Sequence, residues 1–119
     1  VYMDSSNTGG VSQKSNPTRP NFLSRIPIVV TEIWTYHWNN GRGASPGTIS
    51  IICTNGTTYG PWKASGSSGQ GGAPNVNWTV NPNVQLPAGG YTIVDSSPDT
   101  WSENAASHEC GFTKVTGHN

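Results

Sequence analysis

The run from Asn21 to Trp38, NFLSRIPIVVTEIWTYHW, is the strongest constraint on how this chain can fold. It is dense in β-branched and aromatic residues, which pack well on a pleated surface and lose rotamer freedom in a helix. From Glu32 it alternates strictly. Glu32, Trp34, Tyr36 and Trp38 fall on one face, and Ile33, Thr35 and His37 on the other. Ile26, Ile28 and Val30 alternate upstream in the same way. Pro27 has no N–H to give to a ladder, so it marks a strand start or an edge. One long strand is expected, or two joined by a bend near Thr31. The aromatic face is expected to be core. The alternative reading is a sugar-binding platform of Trp34, Tyr36 and Trp38, with Trp62.

The remaining chain supplies short strands to pair with that run. GTISIICT (47–54), TTYGPW (57–62), VNWTV (76–80), YTIVD (91–95) and CGFTKV (110–115) read as strands between Gly/Pro/Asn turns. Asn55-Gly56 is the clearest hairpin signal, because both residues tolerate φ > 0. Residues 63–75, KASGSSGQGGAPN, read as a glycine/serine loop. It is not a phosphate-binding loop, since no Lys-Ser/Thr pair follows the glycines. At 119 residues the chain has room for one modest core. Hydrophobic residues make up only 32%, but five Trp and four Tyr argue against disorder in the body of the chain. The expected fold is an all-β antiparallel sandwich, Ig-like or jelly-roll-like. Residues 1–26 are expected to form an extended N-terminal arm and 27–119 the sandwich domain.

The formal net charge is zero and no basic patch carries interleaved aromatics, so nucleic acid is not an expected partner. No apolar run approaches the roughly 20 residues of a membrane-spanning helix, and no membrane insertion is expected. Charge is unevenly placed, however. Lys14, Arg19 and Arg25 stand near the start, and Asp95, Asp99, Glu103 and Glu109 near the end. Such asymmetry suits head-to-tail association. Cys53 and Cys110 lie in or beside strand-like segments. A disulfide between them is expected, stabilising by ~4 kcal/mol for so long a loop. It would place the protein in an extracellular or cell-surface setting. With no initiator Met and no signal peptide, the chain is expected to be a mature form.

The stretch from Asp95 to Asn104 concentrates oxygen donors. Asp95, Asp99, Glu103 and Asn104 are candidate calcium ligands, since calcium takes six to eight oxygens from a flexible loop. The competing reading is a turn capped by Asp and Ser side chains. Catalysis is not expected. The carboxylates come from one short segment, whereas a glycosidase needs two that face each other. No nucleophile elbow is present, and His37, His108 and His118 lack zinc-site spacing.

Gly89 or Gly90, Tyr91, Asp95, Ser96, Pro98, Thr100, Trp101, Ser102, Asn104, Gly111 and Phe112 spell a G-x-Y-x-x-x-D-S-x-P-x-T-W-S-x-N signature with a closing G-F. Pro46–Ser50, Gly60–Trp62 and Asn75–Trp78 add matching upstream elements. Over residues 34–117 the chain thus resembles a group of secreted bacterial β-sandwich modules. The resemblance implies an extracellular location and a β fold. Two functions are expected as alternatives. The first is a self-assembling filament or surface-fibre subunit, a homopolymer whose arm adds a strand to the next copy. Ile26, Ile28, Val29 and Val30 would then engage the neighbour. The second is a calcium-assisted module that binds surface glycans or serves in adhesion.

Overall fold

The alternating run does form the spine of the protein. In the computed structural model, which describes residues 3–4, 12–13, 19–97, 100–103 and 111–118, strand β4 spans Ile28–Tyr36. Ile28, Val30, Ile33 and Thr35 point inward and are buried. The inward phase therefore changes from even to odd positions near Thr31. The cause is a bulge. Against the last strand, β12 (Thr113–His118), Thr116 pairs with Glu32 but Gly117 pairs with Val30, so Thr31 is skipped. Gly117 is required there, because a Cβ would sit 2.0 Å from the Val29 carbonyl oxygen.

Two antiparallel sheets pack face to face. One runs β1-β12-β4-β8-β7, with β9 also on β4; the other runs β3-β10-β5-β6. Their ranges are β1 Met3–Asp4, β3 Asn21–Ser24, β5 Thr48–Cys53, β6 Thr58–Lys63, β7 Ser65–Ser67, β8 Asn77–Val80, β9 Val84–Leu86 and β10 Gly89–Asp95. A small separate pair joins β2, Ser12–Gln13, to β11, Ser102–Glu103. No α-helix occurs among the described residues, only short 3-10 turns at Asn39–Gly41 and Gln70–Gly72. The core lies between the sheets. Ile33, Trp78, Val80, Leu86 and Val115 meet Phe22, Ile49, Ile51, Tyr91 and Ile93 there.

The hairpin expected at Asn55-Gly56 joins β5 to β6. Three residues lie between Cys53 and Thr57, and among them only Gly56 is left-handed, with φ +93°. The Gly56 N–H donates to the Cys53 carbonyl and the Cys53 N–H to that of Thr57. The glycine/serine stretch is partly ordered as β7, and the NPNVQLP connection holds β9.

Residues of the expected arm also take part in the sheets. β1 pairs with the outer edge of β12, Met3 opposite Val115 and Asp4 opposite Lys114. β3 pairs with β10, Phe22 opposite Tyr91, and the Ile93 N–H extends this ladder to the Pro20 carbonyl. A single residue, buried Ala64, joins β6 to β7, so those two edges share one side of the sandwich. The β10 and β12 edges share the opposite side, and β3 and β1 lie along them.

The expected Cys53–Cys110 disulfide is not formed, and Cys53 is a buried free thiol. Cys110 itself lies outside the described residues. The register gives the reason. Cys53 pairs with Tyr91, whereas Ile49 pairs with Asp95, so Cys53 stands four residues, about 13 Å, from the Asp95 end of the sheet. The described chain resumes at Gly111 against Trp101, leading into Thr113 opposite Thr35, which is hydrogen-bonded to Asp95. Bridged cysteines need Cα atoms within about 7 Å.

Replacing Gly117 by Ala should force the bulge to open, at a cost of ~1–3 kcal/mol. Urea unfolding should show a lower midpoint with an unchanged slope. An unchanged midpoint would show that the bulge does not depend on close backbone approach.

Candidate functional site

β10 ends on Asp95, whose carboxylate is buried beneath the other sheet. Oδ1 accepts the Ser97 N–H at 2.8 Å, which closes an Asx turn. Oδ2 accepts the Thr35 hydroxyl at 2.8 Å and lies 2.8 Å from His37 Nε2. Thr35 and His37 both stand on the inward phase that the Thr31 bulge sets. The His37 ring is 0% exposed and stacks on Trp78, with centroids 3.9 Å apart and planes 22° apart. Its other nitrogen, Nδ1, lies 2.8 Å from Thr100 Oγ1, which is 2.7 Å from Ser97 Oγ. Among the described residues no buried side-chain nitrogen or oxygen lacks a partner.

The rest of the signature locks the same corner. The Thr48 N–H donates to Ser96 Oγ, and the Ser96 N–H to the Thr48 carbonyl. Trp101 is buried and donates from Nε1 to the Phe112 carbonyl at 3.0 Å. Gly111 must be glycine, because a Cβ would lie 2.1 Å from the Trp101 ring. The Trp38 N–H donates to Ser102 Oγ, and the Phe112 N–H to the Ser102 carbonyl. The motif thus fastens the end of β10 to β4, β5 and the approach to β12.

Carboxylate, imidazole and hydroxyl in sequence is the order of an activated nucleophile. Here the imidazole is sealed against Trp78 and both carboxylate oxygens are occupied by protein donors. The array closes on itself as a brace. His37, read from the sequence as isolated, is at its centre, and Thr35, Ser97 and Thr100 were not singled out as partners. The available signal was only that Thr35 and His37 share a face with Ile33.

Of the four candidate calcium ligands, Asp95 has both oxygens engaged as described. Asp99, Asn104 and the side chain of Glu103 lie outside the described residues. Among the described residues, no group of three or more His, Cys, Asp or Glu side chains could hold a metal ion.

The aromatic face does not point into the core. Trp34 and Tyr36 project from the outer surface of the β4 sheet, with centroids 5.7 Å apart and planes tilted by 40°. Tyr36 also packs on Phe112, at 6.2 Å. Trp38 is half-buried just beyond β4. Trp62 belongs to β6 in the other sheet and packs against the core, away from this pair. Burial pushes the Tyr36 hydroxyl above its ordinary pKa of 10.0. Burial, then the neighbouring Cys53 and Tyr59, does the same for Tyr91, whose hydroxyl donates to the Pro87 carbonyl.

The four candidate assembly residues divide. Ile28 and Val30 are core, and Val29 is half-buried and paired with both Gln85 and His118. Ile26 is 48% exposed at the corner before β4. β4 has ladder partners on both sides, so it offers no free edge for strand addition; β12 and β10 carry β1 and β3 on their outer sides.

Compared with protein-family models, curated proteins and solved structures, the chain matches none. What the signature does therefore rests on its contacts alone.

Two outcomes follow. His37→Ala removes a buried ring stacked on Trp78 and one hydrogen-bond partner of Asp95, and should cost ~2–5 kcal/mol in urea unfolding. A loss under ~1 kcal/mol would remove the brace from the account. Stability should also fall in alkali. Below pH 10.0 both tyrosines stay protonated whether folded or unfolded, so their contribution is fully present. Above it the unfolded chain ionises first, and stability is lost as pH rises through the raised native values. Urea midpoints flat from pH 8 to 10 and falling beyond would bear this out; midpoints flat past 11 would contradict it.

Proposed function

We propose that this protein is a non-catalytic structural subunit that polymerises outside the cell by exchanging its N-terminal arm. The observation that carries this reading is the arm's mode of attachment. Strands β1, β2 and β3 touch the remainder through the edges of β12, β11 and β10, and only Arg25, Ile26 and Pro27 separate β3 from β4. Without residues 1–24, the body is a sandwich with two open edges on one side. Open edges invite strand addition from another chain. Pro20 and Phe22 are buried on that side, and Phe22 packs on Tyr91 at 5.5 Å.

The same pairings satisfy the same backbone groups whether the arm is its own or a neighbour's. Fully extended, 24 residues span about 80 Å. The longest dimension of the subunit is 39 Å, so the arm has the reach to fill the next copy. Each copy would then donate one arm and accept one. That contact is heterologous, and where it does not close into a ring it gives a filament. The extracellular placement rests on the resemblance of the signature to secreted modules.

Asn21 and Thr92 are directly opposed across β3 and β10 and provide the test. Such neighbours fall within disulfide range. Oxidised N21C/T92C protein should run as a covalent ladder on a non-reducing gel. Mixed single variants should give dimers linked between residues 21 and 92. A product closed within one chain at every protein concentration would overturn arm exchange.

A further inference from the structure

The outer face of the β4 sheet carries a second feature that arm exchange does not use. Trp34 and Tyr36 lie side by side on it, and the Trp34 ring is held. Its Nε1 donates to Asn77 Oδ1 at 2.9 Å, and Asn77 Nδ2 donates to the Ser68 carbonyl at 3.1 Å. With the indole N–H occupied, what Trp34 offers outward is its apolar ring face. Thr79 stands opposite Trp34 in the ladder, with Ser65 opposite Thr79. On the other flank Lys114 is opposite Trp34, and Glu32, two residues before Trp34 on β4, is diagonal to Lys114. One positive and one negative group thus border the rings, with hydroxyl and amide groups alongside.

We propose that this face is a binding site for a single chain of a neutral polysaccharide. A pyranose ring has an apolar C–H face to lie on an aromatic ring and an equatorial rim of hydroxyls. The rim matches hydroxyl and amide groups with one carboxylate and one ammonium group, which both donate and accept. The balance of Glu32 against Lys114 fits an uncharged ligand better than a polyanion. The 40° tilt between the rings suits a chain whose sugars turn relative to one another, not a flat crystalline surface. A protein partner is less well matched. Among the described residues, the most exposed large apolar side chains, Leu23 at 69% and Ile26 at 48%, lie on or beside β3, in the other sheet. Pre-held rings lower the entropy cost of binding. In a polymer the sites would repeat, so weak single contacts would add through avidity.

Affinity gel electrophoresis of the full-length protein tests this, with soluble xylan, glucomannan and mixed-linkage β-glucan as neutral probes and polygalacturonate as the charged one. At least one neutral polymer should retard the protein, and Trp34→Ala should weaken that retardation about tenfold or more, equivalent to ~1.4 kcal/mol. Trp34→Phe keeps an aromatic face and should fall between the two. Urea unfolding of each variant separates lost binding from lost fold, and a fully folded Trp34→Ala protein that binds as before would overturn the site. So would retardation by polygalacturonate alone, or by no polymer. Arm exchange is read from cross-linking and glycan binding from mobility, so either can fail without the other.

Discussion

A carboxylate buried between two sheets has to be met by donors from both, and much of this structure follows from how Asp95 is met. Its partners come from its own turn, through the Ser97 amide, and from the opposite sheet, through Thr35 and His37. An ionised group in that position is tolerable only when paired and hydrogen-bonded. Those contacts fix the inward phase of β4, because a one-residue slip would turn Thr35 and His37 to solvent. They also position Thr100, and through it the chain that delivers Trp101 beneath Gly111. The signature is accordingly a fastening between sheets, made of residues that would otherwise be costly to bury.

The strands were legible because alternation is a direct consequence of the pleat. The phase change at Thr31 was not, because Ile26, Ile28 and Val30 fall in step with Trp34, Tyr36 and Trp38, and only a bend near Thr31 was expected as one alternative. What misled was the aromatic series. Trp34, Tyr36 and Trp38 look like core by size, yet the residues facing inward are Ile33, Thr35 and His37. Hydrophobicity alone would choose the other face. The inner face at this end accepts polar residues because Asp95 arrives opposite them, some sixty positions later in the chain, and no local pattern reports such a meeting. β7 and β9 were hidden for a related reason. Ser65–Ser67 has almost no β propensity and is a strand because β8 offers it a ladder.

The oxygen-rich loop illustrates the same limit at the candidate site. Composition shows how many oxygens a segment has, but not what they face. Ser96, Ser97, Thr100 and Ser102 all direct theirs to protein groups, so the capped-turn reading describes that half of the loop. The cysteines show the limit differently. Segment type suggested a bridge, but register sets Cys53 at the far end of its strand from the Asp95 corner, and a bridge depends on that distance.

The arm raises a competition that the fold itself frames. Its ladders with β12 and β10 supply the same hydrogen bonds in cis and in trans, so those bonds cannot decide between a closed monomer and a polymer. The difference lies in the connection and in concentration. In cis the chain must reverse within Arg25–Pro27, where Ser24 Oγ donates to the Ile26 carbonyl and Pro27 fixes its own φ. In trans that turn can open, and the arm surrenders the high effective concentration of its own edge. Leu23 and Ile26, exposed beside this turn, would gain contacts only when another chain lies against them. Under the proposed arm exchange, edges that need an arm, a short turn and exposed apolar residues beside it would together favour pairing in trans as protein concentration rises.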